Sequence, residues 1–362
     1  MTSHERLAGK PVVPAALEPG STVTDLVEKH FQAYNAARLS EAARLFARHM
    51  LAPERDVTIG LTLAGALTPA GLGGTVISLL EAGFVDWIVS TGANLYHDMH
   101  HALSFTLHQG DFRVNDVELR KAGIIRIYDV LFSDEVLFKT DTFVRQALDI
   151  IRKRGPVSSA DLHRHLGDCL QPLPGAKYSI LAAAARLDVP IYSPAPGDSS
   201  IGMNLARLAL EGATLHVDPN LDVNETAALV WGAGQNGAIL LGGGSPKNFY
   251  LQTQPQLWEV LGLNKGGHDY FIQVTADAPH WGGLSGATPS EAVSWGKINP
   301  DELCNTVTVY ADVTIALPIL ASYALGAVPP RKLRRLYLQR ARLLEQLRDA
   351  FLQTAQMATR DS

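Results

Sequence analysis

Apolar residues recur in this chain with two alternating periods. From Val23 to Met50 they fall at helical spacing, with Leu26, Val27 and Phe31 followed by Ala43, Leu45 and Phe46, which predicts helix. Val57 to Leu63 is strand-like. Thr68-Pro-Ala-Gly-Leu-Gly-Gly reads as a loop opening a helix over Thr75 to Ala82. Val85 to Val89 is a short apolar run, the pattern of a buried strand. The alternation then returns. A helix over Ser179 to Arg186 precedes a strand at Val189-Pro-Ile-Tyr, and a helix over Glu225 to Trp231 precedes a strand over Ala238 to Leu241. Tyr270 to Thr275 and Thr306 to Tyr310 read as further strands. Short strands alternating with helices predict an α/β fold, with a mostly parallel sheet covered on both faces. No repeat or low-complexity linker divides the chain, so one large domain over 21–330 is expected.

The two ends read differently. Residues 1–20 carry several prolines and no apolar period, which suggests a flexible arm. Arg331 to Phe351 sets Leu333, Leu336, Leu343, Leu344 and Leu347 among many arginines. This is an amphipathic helix, and with it 331–362 is expected to pack on its own domain or on a neighbouring subunit. Binding to a membrane or nucleic acid is the rarer use of such a helix.

Composition narrows the function. Hydrophobic residues make up 46% and charged ones 19%, as in a globular enzyme. A net charge of -5 argues against general nucleic-acid binding and leaves a small cation open as substrate. The two cysteines, Cys169 and Cys304, form no CxxC pair and favour a reducing cytoplasm. The first ten residues lack the apolar core of a signal peptide. No stretch reaches the roughly 18 apolar residues of a membrane helix.

Four motifs bear on chemistry. Gly232-Ala-Gly-Gln-Asn-Gly237 fits the dinucleotide fingerprint G-x-G-x-x-G. That motif must follow a strand and open a helix. Here a helix precedes it and a strand follows it, so a helix cap and turn is the better reading. Gly242-Gly243-Gly244, at the carboxyl end of that strand, is the better place for a backbone to approach a ligand, although a plain tight turn fits as well. In Tyr96-His-Asp-Met-His-His101, His97, Asp98 and His101 could converge on one helix face and hold a metal. That would make a metal-dependent amine or guanidine hydrolase.

The fourth motif is Pro289-Ser-Glu-Ala-Val-Ser-Trp-Gly-Lys-Ile298. Read as an extended strand, it puts Trp295 and Lys297 on one face. An aromatic floor beside an amine suits a cationic substrate, and desolvation would push the lysine toward a nucleophilic free amine. From spacing alone, a surface lysine at a strand end is the commoner outcome.

This decapeptide resembles the active-site signature of deoxyhypusine synthases. Val89-Ser-Thr-Gly, Ser193-Pro-Ala, Ile239-Leu-Leu-Gly-Gly-Gly and Val309-Tyr-Ala-Asp resemble that family's other blocks, in the same order. The resemblance implies a Rossmann-like fold, a homotetramer with active sites at subunit interfaces, and an NAD-dependent aminobutyl transfer in which Lys297 forms an imine with a polyamine carbon. The acceptor would be a protein lysine or a free diamine, the latter giving homospermidine. No metal is expected in that chemistry. The resemblance implicates Thr68, Ala70, Gly71, Thr91, Gly92, Ala93, Asp198, Gly242, Gly243, Gly244, Ser285, Gly286 and Asp312 as neighbours of NAD. It sets Trp295 and Glu291 beside the substrate. The family's other substrate anchors are replaced here. Acids become Met203 and Leu284, Glu-Glu-Asp becomes Tyr96-His97-Asp98, and a histidine becomes Asn248. Gly65-Ala-Leu-Thr-Pro also stands where the family has Ser-Asn-Leu-Ile-Ser. A protonated polyamine needs counter-charges, so spermidine is expected to be a poor substrate and a shorter or differently charged amine a better one.

Overall fold

The computed structural model describes residues 9–360, with the backbone alone at 357–360. The first eight residues of the expected arm and the last two of the chain lie outside the described residues. Eleven strands are present among the described residues. They are β1 (Val57–Leu63), β2 (Trp87–Ser90), β3 (His108–Gln109), β4 (Ile124–Ile127), β5 (Val130–Ser133), β6 (Pro156–Val157), β7 (Ile191–Tyr192), β8 (His216–Val217), β9 (Gln235–Leu241), β10 (Tyr270–Thr275) and β11 (Thr306–Tyr310). Six of them form one sheet in the order β11-β10-β9-β1-β2-β7, and every pairing in it is parallel. This is the expected mostly parallel α/β fold in a single domain. β3, β5 and β4 make a small antiparallel sheet, and β6 pairs with β8; neither was predicted from the sequence.

Helices cover both faces, so the central strands are buried throughout rather than alternately. All seven residues of β1 are buried. β9 feeds two cores by turns: Ile239 and Leu241 join one apolar cluster, Ala238 and Leu240 the other. On the second face the rings of Trp87 and Tyr250 stack 4.4 Å apart. Any Cβ at residue 60 would stand 2.1 Å from the Tyr250 ring, so only Gly60 fits beneath that stack.

The strand order fixes where a ligand can enter. From β1 the chain winds outward through β2 and β7, then returns to the other side of β1 with β9, β10 and β11. The direction of winding reverses between β1 and β9. Their carboxyl ends therefore splay apart into the crevice where open parallel sheets take ligands.

Several expected elements change. The helical stretch from Val23 breaks after His30 and resumes at Tyr34, a non-glycine residue with φ +55°. The last helix begins at Leu336 rather than Arg331 and runs to Arg360. Before it, Arg331 is occupied with the carbonyl of Gly83 and with Asp86, and Arg335 takes a left-handed turn at φ +51°. Leu336, Leu343 and Leu347 bury this helix in the second core, on the same chain. Gly232 caps the helix Pro219–Trp231 and β9 follows, so the G-x-G-x-x-G run is a cap and turn, as read.

Candidate functional site

Lys297 is set by a turn, not by a strand. Thr288 caps the short helix Pro289–Ser294 by accepting from the Glu291 N–H, and Trp295 ends it. Gly296 then adopts φ +64°, and the Lys297 N–H reaches back to the Ala292 carbonyl at 3.0 Å. The expected extended run at 293–297 is thus wrong, because a capped helix with proline at its first position outcompetes alternation. The juxtaposition survives by another route: the Lys297 ammonium lies 5.5 Å from the Trp295 ring centre.

A cavity of about 400 Å3 surrounds this amine. Its wall includes Leu284, Phe271, Leu251 and Trp295, and its acids are Glu291 and Glu259. Lys297 Nζ donates to Asn248 Oδ1 at 3.1 Å. Burial lowers the Lys297 pKa, against an opposing pull from Glu291. A partly buried lysine, beside an aromatic face and bonded to a neutral oxygen, is suited to nucleophilic attack as a free amine.

Two residues of this cavity carried no recognised signal in the sequence. Lys247 precedes Asn248 on the first turn of the helix Gly244–Pro255 and is only 3% exposed. Its Nζ donates to Gln273 Oε1 at 3.0 Å and to the Ala287 carbonyl at 2.7 Å. Glu259 lies in the turn that follows the same helix. Its distance from the lysine motif in sequence hid it.

The second feature is the crevice at the carboxyl ends of β1, β2 and β9. Thr91, Gly92, Ser193, Asp198 and Gly244 line a space of about 120 Å3 there. Glycines are demanded by contact. A Cβ on Gly243 would stand 2.3 Å from Ser285 Cα, and one on Gly92 would stand 2.4 Å from Ser199 Cβ. Gly244 N–H donates to Ser285 Oγ at 3.0 Å. Ser193 Oγ is buried with no partner among the described residues. Asn94, unnoticed in the sequence, organises this end: its side chain accepts from the N–H groups of Leu67 and Thr68 and donates to the Leu63 carbonyl. Thr68 and Ala70 form one turn of 3-10 helix, closed by Gly71 in the left-handed conformation. Ala93 lies in the first turn of the helix Gly92–Ala102. Asp312 caps the helix Val313–Ala327. Gln273 ties crevice to cavity, since its Nε2 donates to the Gly242 and Ser285 carbonyls while its Oε1 accepts from Lys247.

Two expected substrate residues do not border the cavity in this chain. Met203 stands on the helix Ser200–Leu210 and is 63% exposed. His97 packs against His100 and Phe132, with its Nδ1 3.0 Å from His100 Nε2. The metal reading also loses its geometry. Asp98 turns away from the imidazoles and accepts from Ser179 Oγ and from the Ile180 and Leu181 N–H groups. It caps the neighbouring helix. Among the described residues no three His, Cys, Asp or Glu side chains are placed to hold a metal.

The deoxyhypusine synthase family model matches residues 25–324. The chain belongs to the deoxyhypusine synthase family. A deoxyhypusine synthase-like protein of Nostoc sp. is 50% identical over 95% of this chain and 92% of its own length. A protein of Methanosarcina acetivorans named probable deoxyhypusine synthase 2 is 38% identical over 88% of this chain and 90% of its own. A crystal structure described as a deoxyhypusine synthase of Entamoeba histolytica superposes with a TM-score of 0.58, covering 86% of this chain and 96% of that one. At 17% identity it supports the fold alone. The family is one of transferases. No helix among the described residues is long and apolar enough to cross a membrane.

Proposed function

We propose that this family member transfers an aminoalkyl group from a small polyamine, through an imine on Lys297, with NAD as cofactor. The observation that carries the reading is the Lys297 amine itself. It is partly buried, bonded to Asn248 and set against Trp295 in a cavity with two carboxylates.

NAD, when bound, supplies the acceptor for a hydride from the amine-bearing carbon and returns that hydride to the product, so the reaction has no net redox change. The crevice fits such a group in kind. Its glycines admit close backbone approach, and Ser193 Oγ is a buried polar atom in need of a partner. Thr91, Gly92, Asp198 and Gly244 would hold it there.

The remaining roles fall to the cavity. Lys297 attacks the imine carbon as a free amine, and its bond to that carbon replaces the bond to the departing amine. Asn248 holds Nζ in place by accepting one of its protons. Trp295 and Leu284 give the imine apolar neighbours on the cavity wall. Glu291 and Glu259 offset the charge of a second ammonium. The acceptor amine, a protein lysine or a free diamine, then displaces Lys297.

Borohydride added during turnover with NAD and a polyamine panel fixes an alkyl adduct on Lys297, readable by peptide mass spectrometry. Lys297→Ala and Lys297→Arg abolish both adduct and transfer, arginine because it stays protonated. Undiminished transfer by Lys297→Ala refutes the reading.

A further inference from the structure

The segment 328–335 lies beyond the residues that the family model matches, and it brings four cations in its last five positions. Pro329 and Pro330 hold it out of helix, and it crosses the amino-terminal end of β1. There the Arg331 N–H donates to the Ala82 carbonyl at 2.8 Å and its guanidinium to the Gly83 carbonyl at 2.7 Å. Arg334 donates to the Val57 carbonyl at 3.0 Å. The strap so fixed walls a cavity of about 580 Å3, larger than the one around Lys297. Arg55, Arg331, Lys332, Arg334 and Arg342 line it, and no carboxylate does. Asp86 and Asp56 approach from outside the lining and pair with Arg331 and Arg334. Arg55, Lys332 and Arg342 form no ion pair among the described residues: Arg55 donates to the Tyr270 hydroxyl, and Arg342 to Gln339 and Gln346. In a chain with a net charge of -5, three uncompensated cations around one hollow focus a positive potential there.

We propose that this cavity binds a phosphate-rich small molecule of nucleotide size. Guanidinium groups match phosphate oxygens in pairs, and a lysine adds a mobile point charge. The rest of the lining suits the body of such a ligand. Leu51, Leu333, Leu336 and Pro329 offer apolar surface to a base, and the volume falls in the usual range of small-molecule sites, about 300–1,000 Å3. A polyamine would be repelled, so the cavity is no second seat for the amine substrate. It is also separate from the crevice proposed for NAD. The two share no lining residue, and they stand at opposite ends of β1, with Thr58 bordering the cavity and Ala64 the crevice. The site holds whether or not Lys297 forms an imine.

The test is calorimetric titration of the full-length protein with ATP and, separately, with inorganic triphosphate. ATP should bind saturably and more weakly as salt rises. Triphosphate should bind more weakly than ATP, because it leaves the apolar wall uncovered. Arg55, Lys332 and Arg342 are exposed and hold no carboxylate, so Arg55→Ala, Lys332→Ala and Arg342→Ala should leave the fold intact. Combined, they should weaken ATP about ten-fold, at roughly two- to three-fold for each exposed charge contact. The single variants carry the test if the triple variant fails to fold. NAD at a concentration that fills the crevice should leave ATP binding unchanged. The proposal is overturned if ATP does not bind at millimolar concentration, if the folded variants bind it as the unmodified protein does, or if NAD displaces it. Triphosphate binding as tightly as ATP overturns the nucleotide-sized ligand. The titration needs neither polyamine nor turnover, so its outcome is separate from that of the borohydride trap.

Discussion

Leu284→Asp tests how the cavity chooses its amine. Leu284 borders the cavity and is 50% exposed. Met203, the other residue that stands where the family has an acid, borders it nowhere within this chain. In a cavity of about 400 Å3 an ammonium would lie roughly 5 Å from a carboxylate on the rim, an attraction of about 3 kcal/mol at an effective dielectric of about 20. At a half-exposed position solvent screens this to about 1 kcal/mol, or about five-fold in KM. KM for putrescine and spermidine should therefore fall about five-fold in Leu284→Asp, with product followed by mass spectrometry. The new carboxylate also stabilises the Lys297 ammonium, so the ascending limb of kcat against pH should move to higher pH. Met203→Asp should leave both quantities unchanged if each subunit's site is self-contained. If Met203→Asp lowers KM as much as Leu284→Asp, a neighbouring subunit completes the site. If Leu284→Asp changes neither KM nor the pH limb, the amine does not bind beside Lys297 and the cavity assignment fails.

Other expectations follow from the same contacts. Arg340 donates to Glu225, Asp161 and Ser158 and is largely buried; Arg340→Ala leaves two carboxylates uncompensated and should cost about 3 kcal/mol, read by urea unfolding. Burial holds His97, His100, His163 and His268 at about 4, 3, 4 and 3, below their ordinary 6.5, so the unfolded chain takes up more protons and stability falls as pH drops below 6.5. Asp98 and Asp222, raised to about 6 and about 7 from an ordinary 3.8, oppose this by binding protons in the folded state between roughly pH 4 and 7. Four imidazoles against two carboxyls should leave a net loss between pH 6.5 and 5, and a melting temperature that rises over that interval would contradict it. Light scattering at micromolar concentration should give a homotetramer; a fully active monomer would remove the shared-site arrangement that the resemblance implies.

The sequence made the strands of the sheet legible where they are buried on both faces. β1 and β10, buried throughout, have the expected bounds, and so does the edge strand β11, where Val307 and Val309 alternate with threonine. The small antiparallel sheet was not legible. Its strands are two to four residues long, which is too short for a period to show, and of their apolar residues only Phe132 is buried. The lysine site was reached through a mistaken strand. Trp295 and Lys297 come together over a left-handed glycine, and a two-residue separation looks alike in both geometries. Asp98 shows the opposite failure. Its spacing from His97 and His101 suited a metal, but three donors on a distant helix claimed its carboxylate, and no local pattern could reveal that.

The same distinction bears on substrate choice. Glu291 is the acid retained beside the lysine motif, and Glu259 arrives from a turn some distance before it; both are exposed, near the mouth of the cavity. The wall at Leu284 and Leu251 is apolar. A protonated amine pressed against that wall would lose hydration with no return, whereas one at the mouth can keep water and a carboxylate together. An amine with its reacting carbon at Lys297 and its second charge a short reach away, near Glu259 or Glu291, is therefore better matched than one that must bury a further ammonium. On this reasoning the replacements in this chain act on the length of the amine and leave the lysine chemistry in place. Glu259→Gln should then weaken a diamine more than a monoamine in a KM comparison, and an equal effect on both would count against a role for Glu259 in holding the second charge.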